Sequence, residues 1–274
     1  AFRAPPRAAA TVDEWRSACE GGVVSYHDYG IRVNDGAARG GGGGAVPYAA
    51  REILKYGVAT AAQYGLLTAA ASGLDRALPR ALPKPAVWVL FAFLSLRSRV
   101  VSLLDNSRPN REAQAGKATP ADVKRPAWTP PGIAFPFIWL TITGLRASAA
   151  ALAYRGALRT PAHDALLLHL CVGDTWNCVT NIEKRLGVSA VGCSLVWASV
   201  LRAVVAFRAS AAPVAGVVLA PSLAWISVAC ILTASIWSLN GRPPLYPSRT
   251  DGASAALRLK YLAQLDATTI RGGA

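Results

Sequence analysis

Polar side chains able to do chemistry are concentrated in one apolar stretch, ALLLHLCVGDTWNCVTNI, from Ala165 to Ile182. Asp174, Asn177 and Asn181 fall at i, i+3 and i+7, on one face of a helix. Polar groups in such a run are costly unless they face protein or a cavity. This face reads either as a pocket wall offering hydrogen bonds or as the glue between helices. His169 lies about one turn before Gly173. An imidazole in an apolar span ligates the magnesium of a chlorophyll or the iron of a haem, or it sits as a hydrogen-bonded core residue. Trp128, Trp139, Trp176, Trp225 and Trp237 offer flat faces on which a macrocycle could stack. They are equally suited to packing and to the lipid–water boundary.

Other chemistry finds no support. His27, His163 and His169 have no serine or cysteine beside them in a nucleophile motif, so no enzyme is expected. Cys19, Cys171, Cys178, Cys193 and Cys230 form no CxxC pair and no metal spacing, and they read as small packing residues. No metal-ion site is expected. The formal net charge is +14. The basic residues fall between apolar runs, as juxtamembrane Lys and Arg do, and no nucleic-acid-binding signature accompanies them.

The elements that hold these residues are membrane helices. Hydrophobic residues make up 53% of the 274-residue chain, charged residues 16%, and mean hydropathy is +0.30. Five spans are expected, at 86–104, 132–154, 165–182, 188–207 and 213–239. The run 56–74 is a sixth span or a helix packed on a neighbour. Short connections between the last four spans force antiparallel neighbours in an all-α polytopic bundle. Trp128-Thr129-Pro130-Pro131 is expected to be a lid, with Trp128 at the interface and Pro130 or Pro131 in the first turn of the second span. Arg146 lies about eight residues before the end of its span and Asp174 about nine after the start of the next. At about 1.5 Å per residue they share a depth, and a buried ion pair is expected.

The chain divides into an extended partner-binding arm (1–50), an extra apolar helix and linker (51–85), a five-helix domain (86–240) and a basic tail (241–274). The Gly- and Ala-rich arm cannot bury enough apolar surface to order itself. The first residues, AFRAPPR, resemble a mature end left after removal of a plastid transit peptide. The basic loop before Trp128, the Lys184-Arg185 turn and the tail share one side, placed toward the stroma by the positive-inside rule.

Several stretches are similar to one family. RPAWTPPGIAFPFIW, from Arg125, resembles the signature of the TspO/MBR family, the tryptophan-rich sensory proteins. LAPSLAWISVACILTASIWSLN resembles its last helix, with Pro221, Trp225, Ala229, Trp237 and Asn240 in register. GDTWNCVTNIEKRLG and LRSRVVSLLDNSRP look like the plastid-targeted branch of plants and algae. The resemblance implies five packed transmembrane helices and a tetrapyrrole or sterol pocket under the loop between the first two. Two positions depart from it. Gly173 stands where members often carry asparagine, and Thr233 follows Leu232 where they often carry Leu-Asn.

Three functions are expected in turn. The first is a non-catalytic thylakoid protein, a peripheral subunit of a photosystem core or antenna assembly that contacts chlorophyll, carotenoid, lipids and neighbouring subunits. The alternative is a free-standing sensor or transporter of porphyrin or haem. A porphyrin-degrading enzyme comes last.

Overall fold

The computed structural model describes residues 48–78, 81–104 and 123–248. These residues form six α-helices and one 3-10 turn. In order they are α1 (Tyr48–Ala77), α2 (Lys84–Arg97) running into the 3-10 turn (Ser98–Val101), α3 (Ala134–Ala153), α4 (Pro161–Asn181), α5 (Leu186–Arg208) and α6 (Val214–Leu239). No strand occurs among the described residues, so the fold is the expected all-α bundle. The segment expected to be a partner-binding arm lies outside the described residues except for 48–50, which open α1, and the tail is described only to 248.

Helix starts follow local chemistry. Pro83 caps α2 with Pro85 in its first turn, and Pro161 opens α4, where the missing N–H costs nothing. Thr160 caps α4 by accepting the His163 N–H at 3.3 Å. The second span opens differently from expectation. Pro130 and Pro131 precede the helix, Pro131 accepts from the Ala134 N–H at 2.8 Å, and Pro136 is the proline of the first turn.

By length and composition α3, α5 and α6 can each cross a membrane. α2 is only 14 residues, because the helix tightens at Ser98 rather than running to Leu104. α4 has the length, but its histidines, Asp174 and asparagines lower its hydropathy. Its histidines and Asp174 are matched by polar neighbours, described below.

α2 packs on α3, α3 on α6, α6 on α5 and α5 on α4, and α1 lies along α4. The α2–α3–α6–α5–α4 core rests on small residues, Ala147, Ala149, Ala150 and Ala153 of α3, which bring backbones close. His163 sits among them fully buried. Its ring stacks on Phe91 at 5.0 Å and meets the edge of Phe207 at 5.9 Å. Nε2 donates to the Ala150 carbonyl at 3.0 Å, so Nδ1 accepts from the Thr160 hydroxyl at 2.9 Å. Both nitrogens are satisfied, and this histidine is structural.

Candidate functional site

α3, α4 and α6 each bring one tryptophan to a common cluster. Trp139, Trp176 and Trp225 pack around buried Val196, Val200 and Ile226, beside Val172, Leu223 and Cys230. Trp176 donates to the Ser189 carbonyl at 3.0 Å, which fixes its ring against Gly192. Trp225 meets the edge of Phe135 at 6.3 Å. The Trp225 indole N–H is buried with no partner, as is the Ser222 hydroxyl one turn earlier. A buried donor left unused costs about 1–3 kcal/mol. An acceptor brought by a ligand would recover it.

The other expected ring residues stand apart. Trp128 is 49% exposed in the turn before α3, where Thr129 donates backbone and hydroxyl hydrogen bonds to the Pro126 carbonyl. Trp237 donates to the Pro243 carbonyl at 2.8 Å and holds the segment after α6. Asn177 is exposed and bonds back to the Gly173 carbonyl, and Asn181 donates to Asn177. The polar face expected to line a pocket is therefore split. Only Asp174 turns inward to bond another element.

His169 is 1% exposed and committed at both nitrogens. Ser199 gives its proton to the Val196 carbonyl at 2.7 Å, so it accepts from His169 Nδ1 at 2.9 Å. Nε2 then accepts from Arg146 Nη2 at 2.7 Å. No lone pair is left for magnesium or iron, so the expectation of an axial ligand is corrected in this arrangement.

The expected Arg146–Asp174 ion pair is not formed. The error lies in the register. α4 begins at Pro161 rather than Ala165, about one helical turn earlier. Arg146 therefore meets His169, and Asp174 lies five residues further on, about 7.5 Å along the axis. Asp174 instead accepts from Gln63 at 2.8 Å and Ser98 at 2.6 Å, while Gln63 also donates to the Ser98 carbonyl at 2.9 Å. One carboxylate thus joins α1, the 3-10 turn and α4.

α1 is fastened along the whole of α4. In its middle, the Thr60 and Thr175 hydroxyls meet at 2.6 Å. Near its end, Asp75 accepts the Leu158 and Arg159 backbone N–H groups at 2.8 and 2.9 Å. The Arg159 guanidinium donates to Ser72 at 2.9 Å and to Asp164 at 2.8 Å, and the bond to Asp164 raises it above its ordinary value. At its start, Lys55 bridges Glu52 at 2.6 Å and Glu183 at 2.9 Å, and Tyr56 donates to Glu183. Arg185, fully buried, lies 3.4 Å from Glu183 and 3.6 Å from Glu52. α1 therefore runs antiparallel to α4 over the same depth. Arg185, expected as a basic surface charge, is an interior partner instead, whereas its neighbour Lys184 stays outside.

Some residues escaped sequence reasoning. Glu52, Lys55 and Tyr56 precede or open the uncharged run at 56–74 and looked like its flank. Asn240, noted only as a motif residue, clamps the loop before α3. It accepts from the Lys124 N–H and donates to the Lys124 carbonyl, each at 2.9 Å. A small cavity of about 90 Å³ sits between the end of α1, the start of α2 and Tyr154, a volume for waters rather than a macrocycle.

Comparison with known proteins agrees with this architecture. The sequence profile of the TspO/MBR family matches residues 88–238. Protein CrtK of Rhodobacter capsulatus is 30% identical over 128 residues, which is 45% of this chain and 79% of that protein. The tryptophan-rich protein TspO of Bacillus cereus is 28% identical over 120 residues, 43% of this chain and 78% of that protein.

Proposed function

The chain belongs to the TspO/MBR family, and from that premise we propose that it is a non-catalytic multi-pass membrane protein that binds a tetrapyrrole. The observation that carries the reading is the convergence of Trp139, Trp176 and Trp225 around an unspent Trp225 N–H donor. Indole faces stack on a flat macrocycle, and one buried donor gives orientation to a carbonyl or carboxylate on its rim. The macrocycle is held by stacking and hydrogen bonding, since His169 is occupied. The turn at 126–129, with exposed Trp128, sits just before the helix that supplies Trp139 and serves as the lid.

The test is titration of the purified protein in micelles with protoporphyrin, read by tryptophan quenching. Trp225→Phe keeps the ring and removes the donor, and should weaken binding about tenfold. Saturable quenching unchanged in Trp139→Leu, Trp176→Leu and Trp225→Leu would overturn the reading.

A second reading keeps the plastid setting: a peripheral thylakoid subunit of a photosystem–antenna assembly that contacts chlorophyll and carotenoid. What favours it is the outer face of α1, where Gly57, Ala61, Gly65, Ala69 and Gly73 recur every fourth residue and are exposed. Such a face lets another helix approach closely. Co-migration with chlorophyll–protein complexes on a native gel supports this reading, and migration as a lone chain removes it.

A further inference from the structure

Two cysteines from different helices meet beside the tryptophan cluster. Cys193 of α5 and Cys230 of α6 hold their sulfurs 3.3 Å apart, and the Cys230 thiol also reaches the Cys193 carbonyl at 3.3 Å. Both are free thiols. α5 and α6 are antiparallel, and the two residues lie at nearly equal distances along the chain from the middle of the turn joining the helices. The connection therefore sets their register. A disulfide needs its sulfurs about 2.05 Å apart. The gap left to close is about 1.2 Å, within reach of small side-chain rotations. Cys193 is 1% exposed, whereas Cys230 is half-buried beside outward-facing Val228 and Ile231. Cys171 and Cys178, both on α4, are in no disulfide.

We propose that Cys193 and Cys230 are a redox-active dithiol whose oxidant is a hydroperoxide and whose product is an interhelical disulfide. Cys230, the more accessible, attacks the terminal hydroxyl oxygen of ROOH, and its thiol proton goes to the departing RO oxygen. The O–O bond breaks, ROH leaves, and Cys230 becomes a sulfenic acid, oxidised by two electrons. Cys193 then attacks the Cys230 sulfur. The S–O bond breaks, and the hydroxyl departs as water with the Cys193 proton. Two thiols and one hydroperoxide give one disulfide, one ROH and one water. The site lies within two membrane helices, so an apolar hydroperoxide reaches it through lipid more readily than hydrogen peroxide does. The bridge would pin α5 to α6 at the wall of the cluster that packs Trp139, Trp176 and Trp225. That effect on binding rests on the reading under "Proposed function", whereas bridge formation does not.

The experiment treats the full chain in lipid nanodiscs with hydrogen peroxide or cumene hydroperoxide, then alkylates, digests and maps peptides by mass spectrometry. Loss of two thiols together, with a reducible Cys193–Cys230 peptide, is expected in both arms, at lower oxidant in the cumene arm. In Cys193→Ser, a dimedone adduct on Cys230 is expected and no bridge. Cys171 should remain alkylatable throughout. The proposal is overturned if Cys193 and Cys230 stay free while Cys171 oxidises, or if Cys230 passes to sulfonic acid without bridging in the native chain. Protoporphyrin titration of the bridged and reduced forms is expected to differ about tenfold in affinity. If the bridge forms and neither form binds porphyrin, the binding reading fails and the dithiol stands.

Discussion

Glu183→Ala is expected to release α1 from the bundle. The Glu183 side chain is wholly buried and receives Lys55 at 2.9 Å, Tyr56, and Arg185 at 3.4 Å. Removing it takes away the buried carboxylate that Lys55, Tyr56 and Arg185 share, and raises the positive charge beside Glu52 by one. Loss of one member of a buried ionic set costs about 3–5 kcal/mol. An independent count agrees. Two charge-assisted hydrogen bonds, from Lys55 and Tyr56, contribute about 1.5–3 kcal/mol each. Glu183→Gln keeps an acceptor for Tyr56 and should cost about half as much. Chemical unfolding in micelles gives the total. A second readout isolates α1: T60C/T175C places two thiols where the native hydroxyls are 2.6 Å apart, so the yield of that cross-link reports docking. The yield should be high in the parent and low with Glu183→Ala. If stability changes by less than about 0.5 kcal/mol and the cross-link persists, the cluster does not fasten α1 and the reasoning is wrong.

Other perturbations follow from single contacts. A Cβ at Gly187 would overlap the Pro243 and Pro244 carbonyl oxygens, so Gly187→Ala should displace the segment after α6 at a cost of about 1–3 kcal/mol. Red-shifted Trp237 fluorescence, from loss of its bond to Pro243, would report the displacement. Asn240→Ala removes both bonds to Lys124 and should cost about 1 kcal/mol, visible as faster hydrogen exchange near 124–129. His169→Leu should leave the absorption spectrum of any bound iron porphyrin unchanged, because the imidazole is already spent on Arg146 and Ser199. A spectral change of axial-ligand type would restore the ligand role.

The helices that are apolar all round were the most legible. α3, α5 and α6 lie within a few residues of where hydropathy put them, because lipid requires nothing subtler than length. α4 was harder. Thr160 and Pro161 signal a helix start, but the apolar run begins only at Ala165, and that one-turn error sent Arg146 to the wrong partner. Of the candidate rings, Trp139, Trp176 and Trp225 gather because each follows its own helix inward. Trp128 precedes α3, and Trp237, in the last turn of α6, is spent on the segment that follows. Cys193 and Cys230 were readable only through the α5–α6 register, which needs both ends of the turn between them. The charged cluster could not be read along the chain at all, since Lys55 and Glu183 are 128 residues apart.

That separation bears on how the chain is made. α1 leaves the ribosome before any of the helices after it, yet the anion its lysine needs is supplied by the turn after α4. Until that turn exists, Lys55 and Tyr56 lack the Glu183 carboxylate that offsets the cost of their entering lipid. α1 is therefore held at the surface by its own polar side chains and seated after α4 and the turn that follows it have formed. The order of insertion runs against the order of synthesis, and an arrested chain ending before Glu183 should leave α1 open to protease.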